Sequence, residues 1–195
     1  MTLTEGVLMK KLLILTLTMG ILFSEEKSDS LGNKLPLVPT RTISFKTTEG
    51  TWMSLDVSPD GRFIIFDLLG DIYTIPFRGG KANSITSGIP FASQPVYSPD
   101  GKQIAFVSDR GGSENLWVAD VNGGNPKQLS KSNNGQYASP IFTNDGHYVI
   151  VSQTTWPQRT FEIWMYHVNG GSGIQVTKSK ANENVSGNQT KNAMG

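Results

Sequence analysis

The tetrapeptide Ser58-Pro59-Asp60-Gly61 constrains this chain more than any other stretch, because the sequence returns to it. Ser98-Pro99-Asp100-Gly101 repeats it outright, and Thr143-Asn144-Asp145-Gly146 repeats it with Asn144 in place of proline. Each copy is followed by a strongly apolar run: Phe63-Ile64-Ile65-Phe66, Ile104-Ala105-Phe106-Val107 and Tyr148-Val149-Ile150-Val151. The residues suit a hairpin turn. Proline fixes φ for the second position of a type I turn, aspartate hydrogen-bonds local backbone, and glycine takes the φ > 0 position that folds the next strand back. One such turn predicts a hairpin, whereas three in register predict a repeat.

The registers agree. The turn glycines lie 40 and then 45 residues apart, and a second marker, Gly79-Gly80, Gly123-Gly124 and Gly170-Gly171, recurs at 44 and 47. Spacings of about 40–50 residues with several strands per unit indicate propeller blades, and no ten-residue stretch of 3.6 periodicity interrupts them. The expected class is all-β: a partial β-propeller of three four-stranded blades over 41–178, at about 41–90, 91–133 and 134–178. The predicted strands are 52–58, 63–68, 71–76 and 83–86 in the first blade, and 94–98, 103–108, 115–120 and 127–130 in the second. The third blade takes 139–143, 148–153, 162–168 and 174–178. An isolated strand at 41–46 precedes them, and it is expected to complete the last blade of a closed ring. The third strands carry large rings at matching places, Tyr73, Trp117 and Trp164, which are expected between neighbouring blades.

The N-terminus supplies an address. Lys10-Lys11 and the apolar stretch from Leu12 to Phe23 predict a signal peptide over 1–24, and Met9 would give it a conventional basic start. The stretch is short for a transmembrane helix, so no integral span is expected once the signal is removed. Residues 25–40 read as a linker. Residues 179–195, rich in Asn, Lys, Ser and Gly, read as a connector to a fourth blade. A closed propeller needs at least four blades, so the chain reads as the opening of a longer protein.

Composition excludes several function classes. A net charge of +1, from 17 basic and 16 acidic residues, gives no basic footprint for nucleic acid. With no cysteine there is neither a disulfide framework nor a thiolate metal site.

The repeat resembles the TolB-type β-propeller repeat, of the TolB/WD-like kind. Ser98-Pro99-Asp100-Gly101-Lys102-Gln103-Ile104-Ala105-Phe106-Val107-Ser108-Asp109-Arg110 follows that pattern throughout. The run from Gly50 through Gly61, and Phe66-Asp67-Leu68-Leu69-Gly70-Asp71-Ile72-Tyr73, are similar to the opening of bacterial secreted amidohydrolases. In those enzymes a TolB-like propeller precedes a metal-dependent hydrolase domain. The resemblance implies a non-catalytic, periplasmic or secreted propeller segment that scaffolds or gates such a domain. A divalent metal such as zinc is then expected only in that downstream domain, with no cofactor in this chain. The implied partners are the remaining blades or hydrolase domain of the same protein, or envelope proteins. Two alternatives stand beside it: a TolB-like interaction module of the envelope, and the propeller of a prolyl-oligopeptidase-like peptidase.

No catalytic, cofactor-binding or metal-ligating residue is assigned. The two histidines, His147 and His167, form no His-x-His pair, and Gly170-Gly171-Ser172-Gly173 is a repeat turn and not a nucleophile elbow. Asp56, Asp67, Asp71 and Asp109-Arg110 are the candidates for binding at the propeller mouth, against the plainer expectation that they hold turns and blades. The structural residues named are those of the turns: Ser58, Pro59, Asp60, Gly61, Ser98, Pro99, Asp100, Gly101, Asn144, Asp145 and Gly146.

Overall fold

The computed structural model describes residues 43–154 and 160–178. Every described strand belongs to the unit Pro39–Gly195. The predicted signal peptide, linker and 179–195 connector lie outside the described residues.

Three four-stranded antiparallel sheets form in chain order, each a simple meander. The first holds β1 (Leu55–Val57), β2 (Phe63–Leu68), β3 (Asp71–Pro76) and β4 (Asn83–Ser84). The second holds β5 (Ala92–Tyr97), β6 (Gln103–Ser108), β7 (Asn115–Asp120) and β8 (Lys127–Gln128). The third holds β9 (Gln136–Phe142), β10 (Tyr148–Thr154), β11 (Phe161–His167) and β12 (Ile174–Gln175). The first strands touch one another, β1 with β5 and β5 with β9, while no such contact joins the fourth strands. The sheets therefore radiate as blades from their first strands.

Burial reads out the position of each blade. In β2 only alternate residues, Ile65 and Asp67, are buried, whereas β6 is buried without a break from Ile104 to Ser108. The middle blade has neighbours on both faces, which removes the alternation that a half-exposed strand displays. One apolar cluster joins Ile65 and Ile72 of the first blade to Ile104, Phe106 and Trp117 of the second. Another joins Ala105, Val107, Leu116 and Val118 to Val149, Val151 and Tyr166 of the third.

Four strands, β2, β3, β6 and β7, span the residues predicted for them. The others depart for physical reasons. β5 and β9 begin earlier than predicted because each carries a bulge, with Gln94 and Ser139 at φ 54°; the extra residue shifts the phase of the alternation and hides the strand's start. β1 starts at Leu55 and not at 52, where Trp52 takes a left-handed φ of 61°. Each fourth strand shrinks to two residues because the chain then turns inward: the N–H groups of both Ile85 and Thr86 point at the one Ile72 carbonyl, and the same happens at Leu116 and Ile163. The predicted strand at 41–46 does not form over its described part. Ile43 and Phe45 alternate as a strand would, but a lone strand needs an edge to pair with, and both side chains are exposed.

Candidate functional site

The repeated turns share one geometry. In each, glycine N–H donates to the carbonyl three residues back: Gly61 to Ser58 at 2.8 Å, Gly101 to Ser98 at 2.9 Å and Gly146 to Thr143 at 2.8 Å. Their φ values are 69°, 70° and 71°, so a type I turn closes onto a left-handed glycine. The first hydroxyl has a double role. Ser58 Oγ donates to Asp60 at 2.7 Å and accepts the N–H of Phe63 at 2.9 Å; Ser98 does the same with Asp100 and Gln103, and Thr143 with Asp145 and Tyr148. The aspartate also accepts the N–H two residues on, from Arg62, Lys102 and His147. The Ser58 hydroxyl, then the Arg62 N–H and guanidinium, hold the Asp60 carboxyl down at about 2, and the Asp100 and Asp145 carboxyls are lowered by the same kinds of bond.

The turns also stack. A Cβ on Gly101 would meet Pro59 at 3.5 Å, and one on Gly146 would meet Pro99 at 3.7 Å, so each turn's second residue packs against the glycine of the next blade. Where these turns meet the β3–β4 and β7–β8 connections, a groove of about 530 Å³ opens between the first two blades. Phe63, Ile85 and Val121 give it apolar walls, Thr74, Asn83 and Asn122 give polar ones, and Asp60 and Asp100 stand among its lining. Tyr97 lines it too, and burial pushes its hydroxyl above the ordinary phenol range, which keeps it a neutral donor. Such a groove can hold a ligand by apolar contact and hydrogen bonding.

The carboxylates singled out by sequence hold the fold, Asp56 and Asp67 across a blade boundary and Asp71 and Asp109 within a blade. Asp56 accepts the N–H of Tyr97 at 2.8 Å, across the first blade boundary. Asp67 is buried, with one oxygen on the Ser54 N–H at 2.8 Å and the other on the Gln94 N–H of the next blade at 2.7 Å. Asp71 accepts a bond from the Thr86 hydroxyl, and Asp109 takes the N–H of Phe91. Arg110 lies over the rings of Phe106 and Trp117 at 5.1 and 5.5 Å from their centroids, a cation–π seat on the blade edge.

Sequence reading missed the second boundary, where Glu114 accepts the Tyr137 N–H and the Gln94 side chain accepts the Ser139 N–H, both at 2.7 Å. It also missed a repeated hydroxyl. Thr86, Ser130 and Thr177 accept the N–H of Ile72, Leu116 and Ile163 at 2.8–2.9 Å, and donate to Asp71, Asn115 and Glu162. The signal was present, because these hydroxyls recur at the same 44 and 47 spacing as the Gly-Gly marker.

Of the three rings, Trp117 is buried against the first blade and Trp164 packs against the cluster between the second and third. Tyr73 occupies the same register, but it stacks on Phe66 of its own sheet at 5.7 Å, on the face turned away from the second blade. The two histidines stand nearly parallel with ring centroids 6.4 Å apart, and His167 Nδ1 accepts the Asn169 N–H. No three His, Cys, Asp or Glu side chains converge among the described residues, so these residues do not fit the metal of an amidohydrolase centre. Among the described residues no helix is long and apolar enough to cross a membrane.

Comparison with known proteins agrees with this geometry. The family model of the Tricorn protease N-terminal beta propeller domain matches residues 47–194. The Tricorn protease homolog 1 of Streptomyces coelicolor is 30% identical over 94 residues, 48% of this chain and 9% of that protein. The Tol-Pal system protein TolB of Francisella tularensis is 28% identical over 174 positions, covering 64% of this chain and 40% of its own. The crystal structure of TolB from Acinetobacter baumannii superposes with a TM-score of 0.55 at 26% identity, over 71% of this chain and 35% of that one. The chain spans less than half the length of each of these relatives. The chain is a TolB-like β-propeller segment, and it belongs to the family of the Tricorn protease N-terminal β-propeller domain.

Proposed function

We propose that this chain is the non-catalytic propeller segment of an exported hydrolase, where its blades scaffold or gate a catalytic domain in the rest of the polypeptide. One observation carries the reading: Asp56, Asp67, Asp71, Asp109 and Glu114 are each engaged in holding the fold, and four of them accept backbone N–H groups. Each of these bonds satisfies a polar group of the fold, so the structure accounts for these side chains without any catalytic role. The similarity of Gly50–Gly61 and Phe66–Tyr73 to secreted amidohydrolases favours a metal-dependent domain as the one served, with its zinc or other divalent ion outside this chain. The basic and apolar N-terminus supports export to the periplasm or beyond. The family match to a protease propeller favours a second reading, a peptidase whose propeller filters peptides.

The test is to tag the protein in its host, purify the intact polypeptide and assay it against N-acyl amides and short peptides. Chelator-sensitive amidase activity is expected. Labelling by a fluorophosphonate with peptide hydrolysis would establish the peptidase reading instead. A polypeptide inactive on both, recovered with envelope proteins, would make the propeller an interaction module. The 195-residue chain by itself is expected to hydrolyse neither class.

A further inference from the structure

The groove between the first two blades has a counterpart one blade further on, and strand pairing aligns the two. Asn83 pairs with Thr74 as Lys127 pairs with Val118, and Tyr97 of the first boundary corresponds to Phe142 of the second. At the second boundary the Lys127 side chain reaches the third blade, where a Cβ on Gly170 would meet its Cε at 3.6 Å and its Nζ at 3.8 Å. At the first boundary the same position holds the much shorter Asn83, and there the groove of about 530 Å³ opens. The chain thus lays a lysine of its own across one boundary and leaves the corresponding place at the other unfilled.

The lining of the open groove suits the same kind of occupant. Phe63, Ile85 and Val121 offer apolar wall to the methylene stem of a long side chain. Asp60 and Asp100 are the charged groups among its described lining, with no lysine, arginine or histidine beside them. Asp60 has its Oδ2 on the Arg62 guanidinium at 2.6 Å. Asp100 has more room. Its Oδ1 accepts the Ser98 hydroxyl and the Lys102 N–H, but its Oδ2 meets only the exposed Lys102 ammonium at 3.7 Å, beyond hydrogen-bond length. Asn122 commits its oxygen to the Gly124 N–H at 2.9 Å and keeps an NH2 group to donate. With Asn83 it places one side-chain amide on each blade's wall, and such amides pair with the N–H and C=O groups of a peptide backbone.

We infer that the groove between the first and second blades binds a lysine side chain of a peptide segment, its stem against Phe63, Ile85 and Val121 and its ammonium at Asp100 Oδ2. The volume lies within the range of about 300–1,000 Å³ usual for ligand pockets, which accommodates the lysine together with its flanking backbone. Both walls belong to described blades, and blades added at either end of the arc would meet other faces, so the site does not depend on the length of the polypeptide. Nor does it depend on which catalytic domain the propeller serves.

Titration calorimetry of the protein tests this with an acetylated, amidated pentapeptide of alanines around a central lysine, and with its norleucine analogue, which keeps the stem and lacks the charge. The lysine peptide is expected to bind one per chain, and the norleucine peptide about tenfold more weakly. Asp100→Asn retains an oxygen for the Ser98 and Lys102 bonds. It should weaken the lysine peptide by about tenfold and leave the norleucine peptide unchanged, a pattern that a merely damaged fold would not give. Asn83→Lys puts into the first groove the side chain that Lys127 puts into the second. It should abolish binding of both peptides, with a urea midpoint no lower than that of the wild type. Equal binding of the two peptides, or equal losses of both in Asp100→Asn, would overturn the inference. So would undiminished binding by folded Asn83→Lys, or no binding at millimolar peptide. If n-pentylamine alone bound as tightly as the lysine peptide, the ligand would be a small amine and the peptide assignment would fail.

Discussion

Asp60, Asp100 and Asp145 show how much one side chain settles in this protein. Each carboxylate gathers a hydroxyl and a backbone N–H, and the turn it closes sets the register of the two strands beside it. Because the folded protein depresses their titration below the ordinary value of 3.8, their stabilisation is complete above the unfolded value and fades as pH falls through the folded one, about 2 for Asp60. The urea midpoint should therefore decline as pH drops from about 4 towards 2, and the triple variant Asp60→Asn, Asp100→Asn, Asp145→Asn should flatten that decline. An unchanged slope in the variant would move the acid sensitivity to other carboxylates. The exposed Arg62–Asp60 contact at 2.6 Å adds little, because water screens it.

At the scale of elements, the third and fourth strands of every blade are pinned by one hydroxyl. Ser130 is wholly buried and holds both the Leu116 N–H and the Asn115 side chain. Ser130→Ala leaves a buried N–H without a partner and should cost about 1–3 kcal/mol in denaturant unfolding. The Gly-Gly turns give a paired comparison. Gly79 and Gly123 share a left-handed φ, 86° and 82°, but a Cβ on Gly79 meets open space while one on Gly123 runs into the Ile85 carbonyl. Both alanine variants should lose about 1–2 kcal/mol to the backbone conformation, and Gly123→Ala should lose more. Equal losses would mean that the neighbouring blade yields at that point. The bulges at Gln94 and Ser139 belong to this scale too: each frees one N–H to reach across a blade boundary, to Asp67 in one case and to Gln94 in the other.

For the whole molecule, blade order decides how much of each strand is covered. The middle blade is buried on both sides, and the outer two keep exposed apolar residues, Leu55 and Val57 on one and Ile141 and Val176 on the other. Export is a further expectation at this scale. N-terminal sequencing of the protein recovered from its host's envelope should find the chain beginning after the apolar stretch; an intact Met1 or Met9 on cytoplasmic protein would contradict it.

The local repeat was legible in the residues themselves. Proline, aspartate and glycine act on their own dihedrals and on N–H groups two to five residues away, so the turns, and the strands β2, β3, β6 and β7 beside or between them, follow from short stretches of chain. Tertiary structure decided what depends on a second blade. Sequence could assign Asp67 to turn or blade bonding but could not name Gln94, 27 residues on, as its partner, and Tyr73 and Trp117 share a register but differ in whether a neighbouring blade covers them. The bulges of β5 and β9 were hidden for the same reason, because the extra residue's N–H is satisfied only across a blade boundary. Contacts within a turn are written into a few adjacent side chains, whereas the hydrogen bonds between blades join residues 23 to 45 positions apart, whose pairing exists only after the sheets have packed.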